Sequence, residues 1–123
     1  MILVDSSVWI DHLRTADERL VALLSAEEVL GHPFVTGEIS LGNLQVRDAV
    51  LSDLMDLPQA VAATDDDVLD LINRLTLFGR GIGYVDAHLL AAVRLTPNAK
   101  LWTGDRRLQT VAAELGLAAM LPH

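Results

Sequence analysis

The sequence predicts a three-layer α/β fold with a small central parallel sheet, on three observations. Short apolar runs that read as buried strands alternate with longer stretches at helical spacing. The helical stretches carry recognisable starts and stops. Hydrophobic residues make up 51% of the chain and are mostly Leu, Val and Ala, which suits many helices around a small buried sheet. Alternating strands and helices imply right-handed crossovers and parallel pairing. At 123 residues the chain reads as one domain over residues 1–123, able to bury roughly two-thirds of its unfolded surface.

Ile2 to Val4 is an apolar run ending at Asp5 and reads as a buried strand. Ser6 and Ser7 offer helix N-caps before Val8, Trp9, Ile10 and Leu13. Glu18 to Glu28 continues as a second helix, with Leu20, Leu23 and Leu24 on one side. A short strand is expected at Val29 and Leu30, ended by Gly31 and Pro33. Phe34 to Leu41 and Arg47 to Met55 read as helices, and Pro58 closes the second. Gln59 to Ala63 reads as a further strand. Thr64 followed by three aspartates supplies a capping hydroxyl and acids at the positive end of a helix running to about Leu77. Gly79 to Gly83 reads as a flexible loop, and a helix follows from Tyr84 to Arg94. Lys100 to Thr103 is strand-like, and a last helix from Arg106 to Leu115 is stopped by Gly116.

The chain has no cysteine, which excludes disulfides and thiolate metal sites. No basic segment precedes Ile2, and no run approaches the roughly 20 apolar residues of a membrane span, so a cytoplasmic protein is expected. The formal charge of −8 argues against a general nucleic-acid coat and fits a chain that meets a basic partner. Arg14, Arg106 and Arg107 nevertheless lie close in sequence to acids of interest.

Those acids are four. Asp5 and Asp105 each follow an apolar strand and precede a helix, and parallel sheets bind ligands at the carboxyl ends of their strands. Each has a plainer reading as a helix N-cap. Asp86 shares a helical stripe with Leu89, Leu90 and Val93, where a carboxylate is costly unless its charge is compensated. A favourable place at the helix N-terminus is its plainer reading. Glu38 sits with Phe34, Val35 and Leu41 along its helix and gains its weight from the other three. Clustered hard oxygens select Mg²⁺ or Mn²⁺, and ions paired about 4 Å apart can activate water and stabilise the leaving oxygen of a phosphodiester. Ser6, Ser7 and Thr103 stand beside these acids with hydroxyls that could hold a carboxylate or cap a helix. His12, His32, His88 and His123 share no ligand spacing and read as structural; Trp9 and Trp102 read as core or partner-facing.

Four segments together resemble the PIN-domain family and, within it, the VapC-type toxins of toxin–antitoxin pairs. They are Ile-Leu-Val-Asp-Ser-Ser-Val-Trp-Ile from Ile2, Val-Thr-Gly-Glu-Ile from Val35, Tyr-Val-Asp-Ala-His-Leu-Leu-Ala-Ala from Tyr84, and Leu-Trp-Thr-Gly-Asp from Leu101. The resemblance implies a PIN-like fold and puts Asp5, Glu38, Asp86 and Asp105 on the family's acidic quartet. Ser7 and Thr103 fall on supporting polar positions, and Leu108 replaces a frequent Phe. It further implies Mg²⁺ or Mn²⁺ as cofactor, RNA as substrate, a homodimer, and a cognate antitoxin whose C-terminal segment covers the site, with DNA met only through that antitoxin. A signalling receiver domain is the main alternative. It would need an acidic pair after the first strand and a phosphoacceptor Asp mid-chain, where this chain has Ser6-Ser7 and an Asp-free Gln59 to Ala63. A phosphatase of the Asp-x-Asp type fails at Ser7, and a catalytically dead PIN-like binding module conflicts with the intact quartet.

Overall fold

The structure, a computed structural model, describes residues 1–121. Its sheet has the order β2-β1-β3, formed by β1 (Ile2–Val4), β2 (Val29–Leu30) and β3 (Lys100–Trp102), all parallel. Leu3 pairs with Leu30 on one side and with Leu101 on the other, so β1 is the central strand. A strand covered on both faces must be apolar throughout, and Leu3, Val4 and Leu101 are fully buried.

Seven helices complete the three-layer α/β/α arrangement among the described residues: α1 (Ser6–Arg14), α2 (Glu18–Ser25), α3 (Pro33–Ser40), α4 (Arg47–Asp56), α5 (Asp65–Arg74), α6 (Tyr84–Leu95) and α7 (Arg106–Glu114). Helices α1, α3 and α4 pack in series, α5 packs on α6, and α6 lies against β3. The stripe predicted on α6 is real: Leu89, Leu90 and Val93 are buried beside Ala87, Ala91 and Ala92. Trp9 and Trp102 are core residues, and the Arg19 guanidinium stacks 5.0 Å over the Trp102 ring. No described helix is long and apolar enough to cross a membrane.

Several local expectations are corrected. The N-cap of α1 is Asp5, whose side chain accepts from the Ser6 amide, so Ser6 and Ser7 lie inside the first turn. Helix α2 ends at Ser25, and the chain turns through Glu27 at φ 57°. Helix α3 begins one residue early because Pro33 takes the first position, where a missing N–H costs nothing. Helix α5 has the predicted Thr64 cap, completed as a capping box by Asp67, but ends at Arg74.

Gln59 to Ala63 is not a strand. Gly31 makes one parallel bridge to Gln59, donating to the Pro58 carbonyl and accepting from the Ala60 amide. The next amide, that of Val61, turns away to Thr96 Oγ1. The reason is β2 itself: after two residues it bends through Gly31 and His32 into α3, so no ladder remains to extend.

The histidines serve local structure. His12 Nδ1 accepts from the Asp17 amide, and His32 Nδ1 caps α3 by accepting from the Phe34 amide. Burial, with a smaller contribution from His88, lowers the His32 pKa to about 4 and keeps it neutral. His88 Nε2 meets Asp65 Oδ1 at 2.9 Å, and Tyr84 donates to the same oxygen, tying α5 to α6. His123 lies outside the described residues.

Candidate active site

Three parallel strands end on one edge, and each hands the chain to a polar residue there. β1 leads into Asp5, β2 through Gly31 and His32 into α3 with Glu38, and β3 into Thr103, Gly104 and Asp105. Asp86 arrives separately, on the first turn of α6.

Asp5 is buried and held by hydroxyls. Its Oδ2 accepts from Ser7 Oγ at 2.9 Å and from Thr103 Oγ1 at 2.7 Å, while Oδ1 accepts from the Ser6 amide at 2.7 Å. Both hydroxyls are themselves oriented by backbone: the Gly104 amide donates to Ser7 Oγ and the Asp105 amide to Thr103 Oγ1, each at 3.0 Å. An oxygen that accepts from an amide must aim its own proton elsewhere, so Ser7 and Thr103 are locked as donors to Asp5.

Ser6 links the second acid. Its Oγ lies 3.1 Å from Glu38 Oε1 and 3.4 Å from Asp5 Oδ1, and one hydroxyl proton serves the closer acceptor. Asp86 Oδ2 accepts from the Gly83 amide at 2.9 Å, and Asp105 Oδ1 caps α7 through the Leu108 amide at 3.0 Å. The capping reading is therefore realised for Asp5, Asp86 and Asp105; it engages one oxygen of Asp86 and one of Asp105, whereas both oxygens of Asp5 accept hydrogen bonds.

The pKa shifts carry the mark of this convergence. Burial raises the Asp86 pKa, against the pull of the Gly83 amide, and the charges of Asp5 and Asp105 add to the rise. Burial likewise raises that of Glu38, opposed by the Ser6 hydroxyl and reinforced by Asp5 and Asp86. Mutual repulsion thus comes second to desolvation in both. The expected stripe around Glu38 needs correction: Phe34 and Leu41 are exposed, and the buried residues of α3 are Val35 and Ile39. Glu38 instead lines a cleft of about 730 Å³ between α1 and α4, with Ile10, Leu13, Arg14 and Val46.

A donor set of carboxylates and hydroxyls suits a hard divalent cation. Among the described residues, no three Asp, Glu or His side chains are gathered tightly enough to enclose an ion unaided. That is compatible with Mg²⁺, which keeps several waters and takes only one or two carboxylates directly. One contributor carried no sequence signal: the Gly83 amide that orients Asp86 belongs to the backbone.

Thr103→Val tests the hydroxyl relay. The swap is nearly isosteric but leaves Asp5 Oδ2 short of a donor and the Asp105 amide without its acceptor. We expect a loss of about 1–3 kcal/mol of stability, read by denaturant unfolding; an unchanged midpoint contradicts the relay.

No family model matches the chain. The chain is 52% identical over 118 residues to Ribonuclease VapC32 of Mycobacterium tuberculosis, in the CDC 1551 / Oshkosh strain and equally in H37Rv. Each alignment covers 96% of this chain and 95% of the relative. On that relationship, and on the three-layer fold that accompanies it, the chain belongs to the VapC ribonuclease family.

Proposed function

We propose that this chain is a metal-dependent endoribonuclease acting as the toxin of a type II toxin–antitoxin pair. The observation that carries the reading is the convergence of Asp5, Glu38, Asp86 and Asp105 at one sheet edge in a member of a ribonuclease family. These four acids are the residues that would hold Mg²⁺ or Mn²⁺. When bound, the cation supplies charge stabilisation at the phosphodiester and eases deprotonation of a water.

The chain's own part is positioning. Ser7 and Thr103 fix Asp5, Ser6 steadies Glu38, and the Gly83 amide sets the Asp86 side chain at the head of α6. A site held by paired amides and hydroxyls loses little orientation when substrate arrives.

Partners follow from the same reading. The cleft beside Glu38 suits a segment of a cognate antitoxin, and an Arg delivered there would neutralise the acids. Exposed apolar side chains such as Leu69, Phe78 and Leu95 suit a contact between identical subunits. DNA enters only through the antitoxin.

The purified chain should cleave RNA in the presence of Mg²⁺ or Mn²⁺ and stop on addition of a chelator. Cleavage that persists undiminished in chelator would remove the metal from the mechanism.

A further inference from the structure

We infer that Arg80, Arg106 and Arg107 form a clamp for the phosphate backbone of single-stranded RNA beside the carboxylates. The inference rests on the reading of the chain as a ribonuclease and adds to it the surface that seats the substrate.

An acidic protein with an acidic site has an electrostatic problem with a polyanion. The chain carries 17 acids against nine Lys and Arg residues. Three of those nine, with Thr110, line one recess of about 200 Å³, several times the roughly 30 Å³ share of one water. Arg106 and Arg107 are the first two residues of α7, directly after Asp105, so the recess adjoins the acid edge. Its cations therefore stand next to Asp105 at one end of the acid edge, where a bound strand would meet them.

The side chains of Arg106 and Arg107 are exposed. Among the described residues, Arg106 and Arg107 have no carboxylate within ion-pair distance, whereas Arg19 is paired with Asp17 and Arg74 with Asp70. Arg80 spends one nitrogen on Glu114 Oε2 at 2.8 Å, which ties the loop of Gly79 and Gly81 to α7. Arg107 lies flat against that loop: a Cβ at Gly81 would fall 2.7 Å from its Nη1 and 2.8 Å from its Cδ. Gly81 also has φ 78°, so two constraints keep a side chain out of the space Arg107 occupies. The Arg107 guanidinium rests beside the glycine backbone with no carboxylate partner, and its planar fork matches phosphate oxygens. The same loop ends at Gly83, whose amide orients Asp86, so clamp and catalytic acid share one support.

The test is fluorescence anisotropy with a labelled pool of short random-sequence single-stranded RNAs, in chelator, across about 50–200 mM salt. Arg106→Gln and Arg107→Gln should each weaken binding about tenfold, as loss of one charge-assisted contact does. Each should also flatten the slope of log K against log salt by about 0.7, the value per phosphate released from a single strand. Arg107→Lys should keep the slope and lose part of the affinity. Arg74→Gln, on α5, is the control and should change neither. The atoms nearest Gly81 belong to Arg107 and not to Arg106, so the Arg106 variant stays informative if replacing Arg107 disturbs folding.

Asp86→Asn separates the two readings: it should bind RNA at least as tightly as the wild type while failing to cleave it. If Asp86→Asn cleaves normally, the catalytic reading fails and the clamp stands on its binding data. If wild-type protein shows no salt-dependent binding, or both arginine variants bind with wild-type affinity and slope, the clamp is overturned. The latter result would also be produced by arginines that dock an acidic protein segment instead of RNA.

Discussion

Asp86→Asn should lower metal-dependent RNA cleavage by at least about a thousandfold, some 4 kcal/mol of barrier, while leaving the protein folded. Asparagine keeps an oxygen that can accept from the Gly83 amide, so the start of α6 survives. What disappears is the negative charge that a hard cation requires. Asp5→Asn should abolish cleavage to the same degree at an additional structural cost. Ser7 and Thr103 are locked as donors to Asp5 Oδ2 while the Ser6 amide donates to Oδ1, and an amide NH₂ cannot replace either oxygen as acceptor. Asp86→Asn is therefore the cleaner experiment, with a thermal melt to verify the fold and RNA end-mapping to follow cleavage. Full activity in the folded variant would remove Asp86 from the site.

The second large effect is on stability, and its sign follows from the directions of the pKa shifts. Burial and neighbouring carboxylates raise the folded-state pKa of Asp86 and Glu38 above the unfolded value of about 4. A carboxyl shifted upward binds its proton more tightly folded than unfolded. Its effect on stability is therefore neutral below pH of about 4 and becomes unfavourable as pH rises toward the folded pKa, remaining so above it. In chelator at about pH 7.5, Asp86→Asn should accordingly melt higher than the wild type, and the gap should narrow as pH falls toward 4. Mn²⁺ should reverse the order. At a hundred times its dissociation constant it should add roughly 2.7 kcal/mol to the wild type, and most of that response should vanish in the variant. Melts of both proteins with chelator and with Mn²⁺, at about pH 5 and 7.5, decide the matter. A variant that melts below wild type in chelator at pH 7.5 would make these acids structural caps.

Family membership leaves no place for a receiver domain. The mismatch at Ser6 and Ser7 already counted against one, and in the structure those two hydroxyls turn out to serve Asp5 and Glu38.

What the sequence determined by itself was local and periodic. Three apolar runs became β1, β2 and β3, the stripe below Asp86 became the buried face of α6, and Thr64 with Asp67 capped α5. These signals are legible because a strand covered on both faces and a helix buried on one face each impose a residue pattern on their own few residues. Three of the four candidate acids were picked out for the same reason, since Asp5 and Asp105 close strands and Asp86 interrupts a core stripe; Glu38 had only their company. Their connections were decided only in three dimensions. That Thr103 locks Asp5, that Ser6 reaches Glu38, and that the Gly83 amide holds Asp86 depend on strand register and on a turn between elements. The failure of Gln59 to Ala63 as a strand has the same origin: β2 bends away after Leu30 and offers no edge, and an Ala-rich run has little β preference of its own to offset that. The arginine recess is the clearest case, because Arg80 comes to Arg106 and Arg107 only through an ion pair and a glycine that gives them room, neither of which leaves a period in the chain.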